Sequence, residues 1–222
     1  SKAMGFVALM RILVSVTMPI EGEAFWYTAI AVIAVVTMTW GNLAALTSSN
    51  PKRMLAYSSV SHAGYMLAGL AAIGSGLGSE EAIELVLTAI VFHLAVLVIF
   101  KFGAFLVLSL LETEGRSHKL EDLHGLARRD PLVAGSMFLF MLSLAGVPPL
   151  SGFLSKFLMI NGIVNISAGT GASDATSVID WLTSVEPVFW LAFAIVINSA
   201  LSMFYYLRIG LVMFFEEPED ST

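Results

Sequence analysis

The 222 residues are 57% hydrophobic and 13% charged, about half the charged share usual in a soluble domain, and the mean hydropathy is +0.85. These proportions exclude an ordinary soluble core, whose helices need polar outer faces. The net charge of −6 comes without a basic arm, which excludes nucleic acid as a partner, and the absence of cysteine excludes disulfides and thiolate metal sites.

Apolar runs of about 20 residues, long enough to cross a bilayer, recur along the chain. Ser1-Lys2-Ala3 shows no signal-peptide pattern and no starting methionine, so the reading expects a chain cut from something longer. Residues 3–20 form a first segment, closed by Pro19 and Glu21-Gly22-Glu23, and residues 24–48 form a second that ends at Ser48-Ser49-Asn50. Pro51 suits the first turn of a third helix running to about Gly74. The glycine-rich turn 74–79 precedes a fourth, about 82–112, roughly 46 Å long at the helical rise. Within the connector Glu112–Asp130, residues Leu120, Leu123, Leu126 and Ala127 predict a short amphipathic helix at the interface. A fifth span covers 131–146. Gly146-Val147-Pro148-Pro149 breaks it before a sixth segment that carries Lys156 to about Val164. Residues 165–186 are polar, with Trp181 and Leu182 as interfacial anchors, and a seventh segment covers 187–210. The expected class is an all-α polytopic membrane protein. Simple alternation places Lys52, Arg53, Lys119, Arg116, Arg128 and Arg129 on one side and Arg208 near the other, which makes the first side cytoplasmic.

Three lysines lie outside the connectors. Lys101 falls near mid-membrane in the fourth helix, Lys156 follows Pro148 by eight residues, and Lys2 opens the chain. A lysine at the bilayer centre costs on the order of 3 kcal/mol, so such a residue faces a protein interior or a hydrated cavity and marks function. The alternative, snorkelling to the headgroups, serves lysines near helix ends. His93 precedes Lys101 by eight residues, about 80° around the helix and 12 Å along it, too far for a direct hydrogen bond. His62 stands in the third helix with Ser58 one turn back and Tyr65 one turn on. A lone membrane histidine often serves structure only. Two of them among buried lysines point to a proton relay, because burial disfavours a lysine ammonium and imidazole titrates near neutrality. Arg11 cannot release a proton near neutral pH and reads as a fixed charge or anchor, while His118 and His124 read as solvated connector residues. Ser1-Lys2 and Ser155-Lys156 each open an apolar run, the pattern of broken transporter helices.

Asn50-Pro51-Lys52-Arg53-Met54-Leu55-Ala56-Tyr57-Ser58-Ser59, followed by Ser61-His62-Ala63-Gly64-Tyr65, resembles the signature of antiporter-like subunits of respiratory complex I and of Mrp-type cation/proton antiporters. Leu144 to Lys156, LAGVPPLSGFLSK, is similar to the same family's second broken helix. Lys101-Phe102-Gly103-Ala104-Phe105 and Tyr205-Tyr206-Leu207-Arg208 resemble the N-type subunits of NADH-quinone oxidoreductase. Leu97, between His93 and Lys101, departs from the L-type pattern, which has a second histidine there.

The resemblance implies a fragment of two inverted five-helix bundles with broken, lysine-bearing helices. Residues 1–48 would end the first bundle, 51–210 would form the second, and 211–222 an acidic tail. It implies that Lys2 and Lys156 are the broken-helix lysines, and that an acidic partner lies upstream of Lys2. It also implies proton translocation coupled to quinone reduction through a relay of Lys2, Lys101, Lys156, His93 and His62. No catalytic centre, metal or cofactor belongs to this chain in that picture; quinone and redox cofactors sit in partner subunits. The other partners are membrane-arm subunits, lipid and protons, and the location is a prokaryotic plasma membrane. An Mrp-type sodium/proton antiporter subunit and a structural membrane scaffold stay open as alternatives.

Overall fold

The computed structural model describes residues 2–17, 24–113, 115, 119–168 and 186–216, with backbone alone for Lys2, Ala3, Val16, Thr17, Ala24 and Ala168. The described residues are helical throughout their regular structure. Helix α1 (Lys2–Ile12) passes into a π-helical turn, Leu13–Thr17. It is followed by α2 (Ala24–Thr47), α3 (Pro51–Gly74), α4 (Glu80–Thr113), the one-turn α5 (Leu126–Arg129), α6 (Pro131–Ala145), α7 (Ser151–Ala168) and α8 (Phe189–Phe215). The chain is a multi-pass membrane protein. Among the described residues three helices, at 25–47, 80–113 and 189–215, are long and apolar enough to span a bilayer by themselves.

Local chemistry sets the helix ends. Asn50 Oδ1 accepts from the Arg53 N–H and Pro51 fills the first turn, which starts α3. The Ser79 hydroxyl accepts from the Ala82 N–H beside Glu80 and Glu81, which starts α4 with acidic residues at its positive end. Asp130 caps α6 by accepting from the Val133 N–H, with Pro131 next in line. Gly146, at φ 88°, ends α6: its N–H and that of Val147 close back on the last carbonyls, a left-handed stop that a side chain would strain. The Pro148–Pro149 peptide is cis. Leu150 N–H then donates to the Val147 carbonyl and α7 begins at Ser151.

The connector departs from expectation. Instead of one amphipathic helix it holds a 3₁₀ turn, Glu121–Leu123, and the separate turn α5. Gly125 at φ 64° divides them. Leu120, Leu123 and Leu126 are buried, so protein rather than lipid covers this apolar face. The connector is tied down at Leu120, whose N–H donates to the Ser49 carbonyl, and within itself by Arg129, which donates to the carbonyls of Asp122 and His124. His124 is not a freely solvated residue. It is 18% exposed and its Nε2 lies 2.6 Å from Glu216. His118, Trp181, Leu182 and the tail beyond Glu216 lie outside the described residues.

The chain forms two compact units, and α2, α3, α4, α7 and α8 each contribute a stretch to both. One unit comprises residues 1–38, 62–94 and 155–197; the other comprises 39–61, 95–154 and 198–222. In the first, Gly64 lets α3 approach α2 so closely that a Cβ there would lie 2.6 Å from the Met38 nitrogen and 2.9 Å from the Ala34 carbonyl oxygen. Small residues at such contacts are how helices associate without a hydrophobic driving force. In the second, a buried amide clamp joins α2 to α8. Asn42 Nδ2 donates to the carbonyl and side-chain oxygens of Asn198, and Tyr205 OH donates to Asn42 Oδ1 at 3.1 Å.

Candidate functional site

Each unit holds its own buried basic centre. In the first, His62 of α3 and His93 of α4 are both 1% exposed. His62 Nδ1 and His93 Nε2 are 3.0 Å apart, and His93 Nδ1 lies 2.8 Å from the hydroxyl of Ser155 on α7. Three helices therefore supply one continuous hydrogen-bonded chain. Tyr65, one turn beyond His62, presents its ring edge-on to both imidazoles, with centroids 5.3 and 6.4 Å away. Lys156, 5% exposed, places its ammonium 5.6 Å from the centroid of the same tyrosine ring. That distance suits a cation–π contact.

In the second unit Lys101 is 8% exposed. Its Nζ donates to the hydroxyls of Ser58 and Ser59, each at 2.8 Å, and to the Leu55 carbonyl at 3.2 Å. An ammonium has three N–H donors, and here there are three acceptors for it. Ser58 and Ser59 in turn donate to the Leu55 carbonyl, at 2.8 and 3.0 Å, so their lone pairs are left for the lysine. Serines inside an apolar helix commonly bond back to the preceding turn in this way.

Lys101, Lys156, His62 and His93 are thus buried inside protein, as the charge-in-membrane argument requires. The lysines do not run along their helices towards headgroups. The histidines bond to one another rather than merely to local carbonyls. Lys2 opens α1, and its side chain lies outside the described residues. Sequence reasoning placed Ser58 beside His62, one turn back; across helices its hydroxyl accepts from Lys101. It assigned no role to Ser155 or Ser59. The available signal was the type of residue: hydroxyls interrupting the apolar stretches on either side of His62 and before Lys156.

No group of three or more His, Cys, Asp or Glu capable of holding a metal ion occurs among the described residues. The candidate site is one of proton-holding nitrogens and hydroxyls.

Comparison with known proteins agrees with this architecture. The family model for the transmembrane region of NADH:quinone oxidoreductase and Mrp antiporters matches residues 1–180. NADH-quinone oxidoreductase subunit N of Heliobacterium modesticaldum is 37% identical over 220 residues, covering 99% of this chain and 40% of that protein. The chain therefore spans about two fifths of the length of the curated relatives it matches. Among solved structures, a chain of respiratory complex I from Thermus thermophilus with bound aureothin superposes with a TM-score of 0.61 at 35% identity, over 87% of this chain and 37% of that one. A chain of the Mrp complex from Dietzia sp. DQ12-45-1b superposes with a TM-score of 0.75 at 28% identity, over 97% and 34%. Both belong to multi-subunit membrane complexes, one of each kind that the signature at Asn50–Tyr65 suggested. With most of its length matched by the family model, this chain belongs to the NADH:quinone oxidoreductase/Mrp antiporter transmembrane family.

Proposed function

We propose that the chain forms part of a proton-translocating subunit in the membrane arm of a complex I-type quinone oxidoreductase, and that protons pass through its buried His and Lys groups. The observation that carries this reading is the chain His62–His93–Ser155, buried and hydrogen-bonded across α3, α4 and α7. Imidazole both donates and accepts, so neighbouring rings at 3.0 Å can hand a proton on without a free ion entering the apolar phase. Lys156 and Lys101, with Lys2 by the family resemblance, are the cationic members of the relay. Residues 1–48 and 51–210 would belong to successive antiporter-like bundles.

Quinone and the electron carriers would sit in partner subunits, with none held by this chain. The partners are then other membrane-arm subunits, and a bacterial plasma membrane is the setting, as the organisms of the similar proteins suggest. The relatives named as subunit N favour this reading over an Mrp-type sodium/proton antiporter.

The test is Lys156→Ala and Lys156→Arg in the assembled complex. Quinone reduction and proton uptake would be measured together in sealed vesicles. Both variants should assemble and lose most of their proton uptake, because a guanidinium does not deprotonate near neutrality. Full uptake in the arginine variant would reduce Lys156 to a fixed charge. Sodium-driven proton exchange in the absence of any quinone reductase activity would instead favour the antiporter reading.

A further inference from the structure

The relay assigns proton transfer to His and Lys groups, and the hydroxyl of Ser155 closes its buried chain at 2.8 Å from His93 Nδ1. The consequence lies in counting protons. A neutral imidazole carries one N–H and one bare nitrogen. Between His62 Nδ1 and His93 Nε2 there is room for one proton only. If His62 donates there, His93 Nε2 is the acceptor, so the proton of His93 sits on Nδ1 and is given to the Ser155 oxygen. If His93 donates there instead, its Nδ1 is bare and accepts from the Ser155 O–H, and His62 must carry its own proton on Nε2. The neutral chain therefore has two arrangements: both rings protonated on Nδ1, or both on Nε2. A mixed pair sets either two N–H groups or two lone pairs against each other across 3.0 Å, a gap too short for a bridging water.

We infer that Ser155 is a proton-carrying residue of the relay, and that it locks the two histidines into a single tautomeric switch that passes one proton per reset. This rests on the relay reading above and specifies how its histidine segment works. Starting with both rings protonated on Nδ1, a proton enters at the bare Nε2 of His62. The Nδ1 proton of His62 moves to His93 Nε2. The Nδ1 proton of His93 moves to the Ser155 oxygen, and the original hydroxyl proton of Ser155 passes to the next base of the path, a water or a neutral lysine amine. One proton has entered and one has left, none of these three groups is left charged, and both rings now carry their proton on Nε2 with Ser155 donating to His93. A second proton cannot follow in the same direction until both rings and the hydroxyl return together. Lys156 follows Ser155 directly in α7 and faces Tyr65, whose ring edges both imidazoles, so the charge state of the lysine is well placed to bias that return.

The experiment uses the whole complex with Ser155→Ala and Ser155→Thr, beside His93→Leu. Proton uptake per quinone reduced would be measured, and isotope-edited infrared spectra of labelled histidine would report which ring nitrogen is protonated. Ser155→Ala should lower uptake per quinone about tenfold, the scale of effect from orphaning a buried hydrogen-bonding nitrogen. Ser155→Thr should restore it, since the hydroxyl returns. The unaltered complex should show His62 and His93 always in the same tautomer, and the alanine variant should show a different tautomer distribution. Normal uptake in Ser155→Ala, equal loss in the alanine and threonine variants, or a mixed tautomer pair in the unaltered complex would overturn the inference. The last of these is decisive even should the alanine variant not assemble. Uptake that fails in His93→Leu and Lys156→Ala but ignores Ser155 sinks this inference alone; uptake that ignores all three sinks the relay itself.

Discussion

Lys101 and the histidine pair are both basic groups buried among helices, yet they are held in opposite ways. Lys101 has all three ammonium donors matched by fixed acceptors on a single helix, α3. Its site is a socket: it suits one species, the cation, in one position. The chain His62–His93–Ser155 draws on three helices, and each member can donate or accept. It is compatible with two proton arrangements. The contrast is between storing a proton and passing one. A socket with three charge-assisted hydrogen bonds must be broken before Lys101 can move or discharge, whereas the imidazole chain changes state by proton hops of a fraction of an ångström.

The largest expected effect tests whether the chain depends on close helix approach. Gly64→Ala would drive a Cβ into the backbone of α2 at Met38 and Ala34. Neither neighbour is the flexible end of a side chain, so α3 must shift and carry His62 with it. Assembled subunit should be nearly lost, as read by native gels of solubilised membranes. Gly135→Ala, where a Cβ meets nothing within 4 Å, should assemble normally. Normal assembly and proton uptake in Gly64→Ala would show that the chain tolerates displacement of α3, against the three-helix geometry argued for it.

Next in size is Lys101→Met. Removing the ammonium leaves Ser58 and Ser59 still bonded to the Leu55 carbonyl, so no buried hydroxyl is stranded. The variant should therefore assemble, but its proton uptake should fall about tenfold, while a scaffold role predicts no change. Single changes at the socket should cost less. Ser58→Ala or Ser59→Ala removes one acceptor of three, and a hydrogen bond to a charged group contributes about 1.5–3 kcal/mol. Looser seating should alter uptake by a few-fold, and more in the double variant. Equal and complete loss from either serine alone would mean that they carry protons themselves, which would erase the distinction between socket and chain.

Much of this was legible in the sequence, and the limits have physical causes. The apolar runs fixed α2, α4 and α8 because spanning a bilayer requires length and low polarity. Caps such as Asn50-Pro51 and Asp130-Pro131, and the stop at Gly146, are local and could be seen as boundaries. The cost of burying charge singled out Lys101, Lys156, His62 and His93 before any partner was known. Partners were another matter. His93 was weighed against Lys101, eight residues along the same helix, whereas its bonds go to His62 and Ser155, 31 and 62 residues away in sequence. Contacts between helices depend on which faces meet, and helices that are apolar all round carry little signal of that. The connector was misread for a related reason: a leucine pattern at helical spacing does not reveal that Gly125 will take a left-handed turn, or that protein will cover the leucines. Family resemblance supplied the roles of the lysines, and it offered nothing about Ser155.

The smallest expected effect lies at the connector, where His124 meets Glu216. Like Lys101, His124 is a basic group with a partner, but Glu216 is 52% exposed, so water and salt screen the pair. Such pairs contribute about 0–1 kcal/mol. A double-mutant cycle with His124→Gln and Glu216→Gln, read from the unfolding temperature of the purified complex, should give a coupling worth no more than about 4 °C on the scale of a chain this size. Where the imidazole of His124 carries a proton, the coupling should vanish in about 1 M salt, where the screening length is about 3 Å. Lys101→Met should give the same loss of proton uptake at low and high salt, because the hydroxyls and carbonyl of α3 that seat Lys101 are neutral and the lysine is buried. A large, salt-resistant coupling at His124 would mean that the connector is clamped to the end of α8 as firmly as Lys101 is seated in its socket. The contact between His124 and Glu216 could then no longer be treated as a weak, half-exposed pair. A strong salt effect on the Lys101 variant would break the comparison from the other side, since a socket open to ions is not a buried one.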